Sequence, residues 1–320
     1  MRTSKLAITA NAALLMALAA CSTQHAAPKP GVTETAVRSS DWAPATKPKP
    51  VVPPIATFAE GVKRGDAAWM AGELDAALYM YVLALQLSPN DALTFAKVGA
   101  IHESQGNYVV ARQAFERAHA ADPKDARIAE RLGLLYLKES KVDQAATMFT
   151  GALQREPGRW RALDGLAEVA RARGNLDDAL RYDDQALQAV GADRPTVLEH
   201  RGHTKLLLGD LRGAESDLRE SIDKSSRPDA SRYLAEVLVR LHDNASAYEI
   251  LLRVMDMPSA YNRMGLILMS VPDYAAAADY FAKAVSASPG WNNEAQLNLS
   301  VARERMAQAG THSVAGNAAK

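Results

Sequence analysis

Three prolines, Pro89, Pro123 and Pro157, stand 34 residues apart, and Gly72, Gly106, Ser140 and Gly174 keep the same step. A fixed period of this length constrains the fold more than any single motif, because one such unit cannot bury its apolar face alone and must stack on its neighbours. With units starting at Phe58, Ala92, Ala126, Trp160, Pro195, Pro228 and Pro258, the eighth position reads Gly65, Gly99, Gly133, Ala167, Gly202, Ala235 and Gly265. The twentieth reads Ala77, Ala111, Ala145, Ala179, Ala214, Ala247 and Ala277. Small side chains at both places let two helices of a hairpin approach closely in a dense interior. The twenty-seventh position is mostly small as well (Ala84, Ala118, Ala152, Ala186, Ser221, Val254, Ala284), whereas the twenty-fourth supplies bulk through Tyr81, Phe115, Phe149, Leu218, Leu251 and Phe281.

Asp183 breaks that pattern in the fourth unit, where Leu180, Tyr182 and Leu187 are expected to share the packing instead. The prolines end the second helix of a unit, since proline disfavours helix at the residue before it. Asn90 or Asp91, and Asp125, follow where a side chain can cap the next helix. The sixth unit has His242 in place of the turn glycine, and "MDMPS" leaves no room for a full second helix. A 34-residue helix–turn–helix unit with this punctuation resembles the tetratricopeptide repeat. The resemblance implies an all-α fold: an α-solenoid of about seven repeats over residues 58–290, closed by a capping helix at 291–309, with a disordered tail at 310–320. In such repeats the first helices line a concave face.

Ahead of the repeats, Arg2 and Lys5 precede the apolar stretch LAITANAALLMALAA and the chain's single cysteine, Cys21. The stretch is shorter than the roughly 20 apolar residues that cross a bilayer, and its flanks read as a signal peptide over residues 1–20. Leu18-Ala19-Ala20-Cys21 resembles the lipobox of bacterial lipoproteins, which implies cleavage before Cys21 and acylation of that residue, with palmitate-type chains as the membrane anchor. Ser22 in the next position implies sorting to the outer membrane. Residues 22–57 hold seven of the fifteen prolines. Residues 21–57 therefore form the lipidated cysteine and a tether, spanning roughly 110 Å if polyproline-like and about 35 Å as a flexible coil. "KPKPVVPP" at 47–54 is a candidate ligand for another domain within it.

Removal of Arg2 and Lys5 with the signal leaves 35 basic residues against 37 acidic ones, so the mature chain has no strong field. With 6% aromatic residues it lacks the clustered positive surface that nucleic acid requires. No zinc-protease motif, phosphate-binding glycine loop or glycine-flanked nucleophilic serine is present. His200 and His203, with Glu199 nearby, lie three apart and could approach one metal, but two imidazoles are fewer ligands than a structural site takes. His102 with Glu103, and the Asp177–Asp178 and Asp183–Asp184 pairs, read as solvated helix faces. The sequence thus predicts no enzyme, no cofactor or metal and no small-molecule substrate.

The binding surface is expected on positions 2, 5, 9 and 12 of the first helices. These include Arg127, Glu130, Leu134 and Leu137 in the third unit, and Arg161, Asp164, Glu168 and Arg171 in the fourth. Glu199, His203 and Leu206 follow in the fifth, Arg232, Glu236 and Val239 in the sixth, and Asn262, Leu266 and Met269 in the seventh. Val62, Trp69 and Met70 make the first unit apolar. Arg232 is placed to pair with Glu236 four residues on. Trp69 is the expected anchor for a partner, unless it packs against Phe58 or the tether. The lysine and asparagine of a chaperone-type carboxylate clamp are not supplied.

The lipobox and tether, "GDAAWMAGELDAAL" at 65–78, and "AYNRMGLILMSVPDYAAAADYFAKAVSASPGW" at 260–291 followed by "NLS" resemble the tetratricopeptide lipoproteins of the tight-adherence (Tad, Flp) pilus apparatus, the TadD family. That resemblance implies a lipid-anchored periplasmic adaptor at the outer membrane. Its partner would be a protein, an envelope secretin or a pilus-assembly component. An adaptor for cell-wall hydrolases, or a metal-dependent enzyme built on His200 and His203, stay open as alternatives.

Overall fold

The computed structural model describes residues 55–223, 226–288, 290 and 293–317. The segment read as a signal peptide, Cys21 and nearly all of the expected tether lie outside the described residues. Fifteen helices and no strand occur among those described. They pair as α1 (Phe58–Met70) with α2 (Leu74–Leu87), α3 (Ala92–Ser104) with α4 (Tyr108–Ala121), and α5 (Ala126–Lys138) with α6 (Val142–Arg155). The series continues as α7 (Trp160–Ala172) with α8 (Leu176–Gln188), α9 (Arg194–Leu208) with α10 (Leu211–Asp223), and α11 (Pro228–Arg240) with α12 (Asn244–Leu252). The last hairpin, α13 (Met257–Ser270) with α14 (Tyr274–Ala287), is followed by α15 (Asn293–Asn317).

The repeat register explains where each helix starts. Asp91 accepts from the Thr94 amide at 2.7 Å and Asp125 from Arg127 at 2.8 Å, so each carboxylate satisfies an orphan N–H of the helix that follows. Pro195, Pro228 and Pro258 occupy the first or second helical position, where their missing N–H has no partner to lose. The turns inside hairpins are left-handed: Gly72, Gly106 and Gly174 each have φ of 77°, and Ser140 (58°) and His242 (64°) adopt the same conformation in spite of their side chains.

Across five of the seven hairpins, the glycine at the eighth position lies against the bulky twenty-fourth residue. A Cβ added to Gly133 would lie 2.6 Å from the Phe149 ring, and one added to Gly65 would lie 2.5 Å from Tyr81. Gly99, Gly202 and Gly265 face Phe115, Leu218 and Phe281 in the same way. All seven alanines of the twentieth position are completely buried. Val254, the large residue at the otherwise small twenty-seventh position, is only half-buried and falls beyond α12.

First helices pack against their successors, α5 on α7, α7 on α9, α9 on α11 and α11 on α13, whereas no second helix packs comparably on the next. The first helices therefore follow the shorter, inner arc and line the groove. Two elements depart from regular repeats. Helix α12 has only nine residues. Helix α15 continues to Asn317, past the expected boundary at 309 and into positions read as a disordered tail, with no proline after Pro289 to stop it.

Ala145 on α6 is completely buried in the core that α5 and α6 share. Ala145→Leu is expected to overpack the hairpin by about 1–3 kcal/mol. Ser140→Gly at the adjacent turn relieves a left-handed residue and is expected to be neutral or to stabilise by up to about 1 kcal/mol. Urea unfolding of the two variants checks the register; equal losses of stability would contradict it.

Candidate functional site

Where the fourth unit should supply an apolar side chain, it supplies a carboxylate. Asp183 is fully buried, and it accepts hydrogen bonds from Arg171 at 3.0 Å and from the Thr204 hydroxyl at 2.6 Å. This corrects the expectation of a solvated face at Asp183: the aspartate itself fills the position and draws in a guanidinium, while Tyr182 and Leu187 pack on the neighbouring apolar clusters as expected and Leu180 is half-buried. Position 8 of this unit is Ala167 where most others have glycine, in keeping with a partner smaller than an aromatic ring. Burial pushes the Asp183 carboxyl up, to about 6, against the pull of Arg171 and Thr204. Burial works against the Arg171 charge too, but Asp183 and Glu168 keep it raised.

Arg171 is thereby removed from the set of groove residues available to a partner. Its guanidinium is buried and also holds Glu168 at 2.8 Å, whose own side chain stays half-exposed. Glu130 is likewise buried, paired with Arg159 at 2.9 Å. Asp164 meets His200 Nδ1 at 2.6 Å. Burial opposes protonation of that imidazole, but the hydrogen bond and charge of Asp164 prevail and raise its pKa. His203 does not join His200 at a common point; it stacks on Tyr233 with ring centroids 4.1 Å apart. Desolvation, then the charge of Arg171, lowers the His203 pKa to about 4. Among the described residues, no group of three or more His, Cys, Asp or Glu is arranged to hold a metal ion.

Of the remaining groove candidates, Arg127 is 69% exposed and pairs with the cap Asp125, and Arg161 lies exposed with its guanidinium over the Trp160 ring. Arg232 pairs with Asp229 instead of Glu236, which is held by Arg240 at 2.7 Å. The three-residue spacing on the first turn of α11 thus takes the arginine that the four-residue spacing was expected to hold. Asn262 donates to Glu294 and accepts from Asn298, tying α13 to α15. Met70 is 84% exposed, beyond the packed groove.

The ring contact of Trp69 is within its own hairpin and not with Phe58, and nearly all of the tether lies outside the described residues. The Trp69 ring meets Tyr81 edge-on at 6.4 Å, and its outer side walls a depression of about 230 Å³ with Leu93, Ala96, Ala100 and Ile128. Lys97, Arg127 and Arg131 rim this depression, each neutralised by an acid: Asp66 at 2.6 Å, Asp125 at 2.8 Å and Glu103 at 2.9 Å. Leu93, 55% exposed, and the two alanines were missing from the expected site, although positions 2, 5 and 9 applied to the second unit name all three. Lys97 and Arg131 occupy the sixth position, which the groove rule does not include.

Two predictions follow from the buried cluster. Asp183→Leu strands a buried guanidinium and is expected to lose about 3–5 kcal/mol, while the Arg171→Leu, Asp183→Leu double variant recovers most of it; chemical unfolding of the three proteins measures the difference. For His203, the folded pKa lies below the unfolded value near 6.5, so the unfolded chain binds more protons between the two. The contribution is complete above pH 6.5 and is lost as pH falls towards 4. Wild type is expected to lose more stability than His203→Gln across that window.

Comparison with known proteins agrees with this geometry. Residues 130–194 and 258–290 each match a family model described as tetratricopeptide repeat. The solved structure of a tetratricopeptide repeat protein from Parabacteroides merdae ATCC 43184 is similar with a TM-score of 0.58 and 19% identity, over 77% of this chain and 98% of that one. PilW, titled a widely conserved type IV pilus biogenesis factor, gives 0.55 and 19%, over 65% and 98% of the two chains. Pseudomonas aeruginosa pilF gives 0.51 and 18%, over 64% and 95%. Two curated relatives, each a cellulose synthase operon protein C, are 24% identical in Xanthomonas axonopodis pv. citri (strain 306) and 27% identical in Komagataeibacter xylinus. The matches cover 70% and 62% of this chain, but only 13% and 19% of those much longer proteins. The described chain is an all-α tetratricopeptide-repeat solenoid.

Proposed function

We propose that the chain is a non-catalytic, lipid-anchored adaptor of the bacterial cell envelope that holds a segment of a protein partner in its concave groove. Its partner is an outer-membrane secretin or a pilus-assembly component of the Tad/Flp type. The observation that carries the groove reading is the depression beside Trp69: an apolar, pre-formed recess on the inner arc, with its rim charges already neutralised. A partially exposed tryptophan beside such a recess is the kind of anchor that dominates interface energetics. The anchored lipoprotein reading rests on the lipobox at Cys21, and the pilus reading on the TadD-like stretches together with the fold shared with PilW and pilF. Anchorage at the outer membrane, facing the periplasm, raises the local concentration of a captured segment, so modest groove affinity suffices.

A second reading is favoured by the curated relatives: a scaffold working with the products of a cellulose synthase operon. One set of measurements separates the two. Trp69→Ala is expected to keep its helical circular dichroism while co-purifying at least about ten-fold less secretin, an anchor residue being worth more than 1 kcal/mol. Cys21→Ala is expected to leave the outer-membrane fraction. A strain lacking the gene should lose secretin multimers and surface pili; normal pili with a loss of cellulose would replace the pilus reading by the second one.

A further inference from the structure

In four of the units the sixth residue reaches back to the unit before it. Lys97 holds Asp66, Arg131 holds Glu103, His200 meets Asp164, and Tyr233 stacks on His203. Gly165 has no side chain with which to do so. The seventh unit places Arg263 in this position, and the series predicts a partner at Glu236, the ninth residue of its unit, as Asp66 and His203 are of theirs. Glu236, however, is taken by Arg240.

Arg263 consequently makes no ion pair or hydrogen bond with a described residue, and its Nε is buried without an acceptor. Burial, then the charge of Arg232, pushes its pKa down, and Glu236 and Tyr233 only partly compensate. Facing Arg263 from α11 are Arg232, already on Asp229, and Glu236, already on Arg240, so the site carries one uncompensated cation. A half-buried guanidinium with an unsatisfied Nε–H is matched best by a planar carboxylate.

We propose that Arg263, on the inner arc beside Arg232 and the His203–Tyr233 ring stack, receives a glutamate or aspartate side chain from the protein segment bound in the groove. The inference deepens the groove reading and rests on it. Charge complementarity selects an acidic side chain. A chain terminus would need further converging donors, and the adjacent Asn262 amide is committed to Glu294.

The test uses the full-length protein in detergent with two five-residue probes, acetyl-Ala-Leu-Glu-Leu-Ala-amide and its Gln counterpart, and a third, acetyl-Ala-Leu-Gln-Leu-Ala with a free carboxyl end. Affinity is read by isothermal titration calorimetry for wild type and Arg263→Gln alike, and in wild type the site is located by the Arg263 Nε–H resonance, assigned by its absence in Arg263→Gln. The glutamate probe is expected to shift this resonance saturably and to bind about ten-fold tighter than the glutamine probe, the scale of one charge-assisted hydrogen bond. Arg263→Gln, melting within error of wild type, is expected to bind both equally. Equal binding of the two amidated probes by wild type, or a shift with the free-carboxyl probe alone, overturns the proposal. Either outcome leaves the groove reading intact, because that reading is tested separately by secretin capture in Trp69→Ala.

Discussion

Five of the seven hairpins close around a ring, or a leucine in its place, that occupies the space a missing side chain leaves. Phe149 shows the constraint most plainly, lying where a methyl group on either Gly133 or Gly165 would come within 3 Å of its ring. One aromatic residue thus packs against two consecutive first helices, and through it the hairpin contact and the stacking contact become one interaction. Its neighbours in the series, Tyr81, Phe115, Leu218 and Phe281, are similarly buried. The inner arc, and therefore the groove, is a consequence of first helices drawn together at these glycines.

The exception at Asp183 keeps the geometry while changing the chemistry. A buried carboxylate in a packed core demands a cation and a further donor, and Arg171 and Thr204 come from the helices on either side. Desolvation makes such a pair weak as a source of stability, yet strongly dependent on the presence of both members. The solenoid is thus tied across its middle by a polar contact that works only in one register. Around it, Asp164, His200, Glu168, His203 and Tyr233 engage one another on the inner face.

Self-neutralisation runs through most of the groove. Lys97, Arg131, Arg159 and Arg227 all hold acids from a preceding helix or turn. Pairs of this sort offer little to a partner: exchanging a half-exposed one such as Arg131–Glu103 gains nothing, and breaking Arg159–Glu130 or Arg227–Glu199 would strand a buried carboxylate. Surface that remains distinctive for recognition is the apolar recess beside Trp69 at one end and the unpaired Arg263 towards the other.

The chain order of small, large and punctuating residues determined the helices, their starts and their pairing, because those depend on local steric fit repeated every 34 residues. Asp91 and Asp125 as caps, alanine at the twentieth position and the shortened sixth unit could all be read this way. Which charges remain available was decided only by tertiary structure. Arg171 occupies a groove position in the repeat, but the residue that buries it, Asp183, lies in the next helix, and Thr204 lies in the following unit. Likewise, Arg232 and Glu236 have the spacing of a pair, yet Asp229 and Arg240 capture them first. Periodicity fixes which face a residue occupies; the partner it finds there depends on side-chain reach and burial across neighbouring helices.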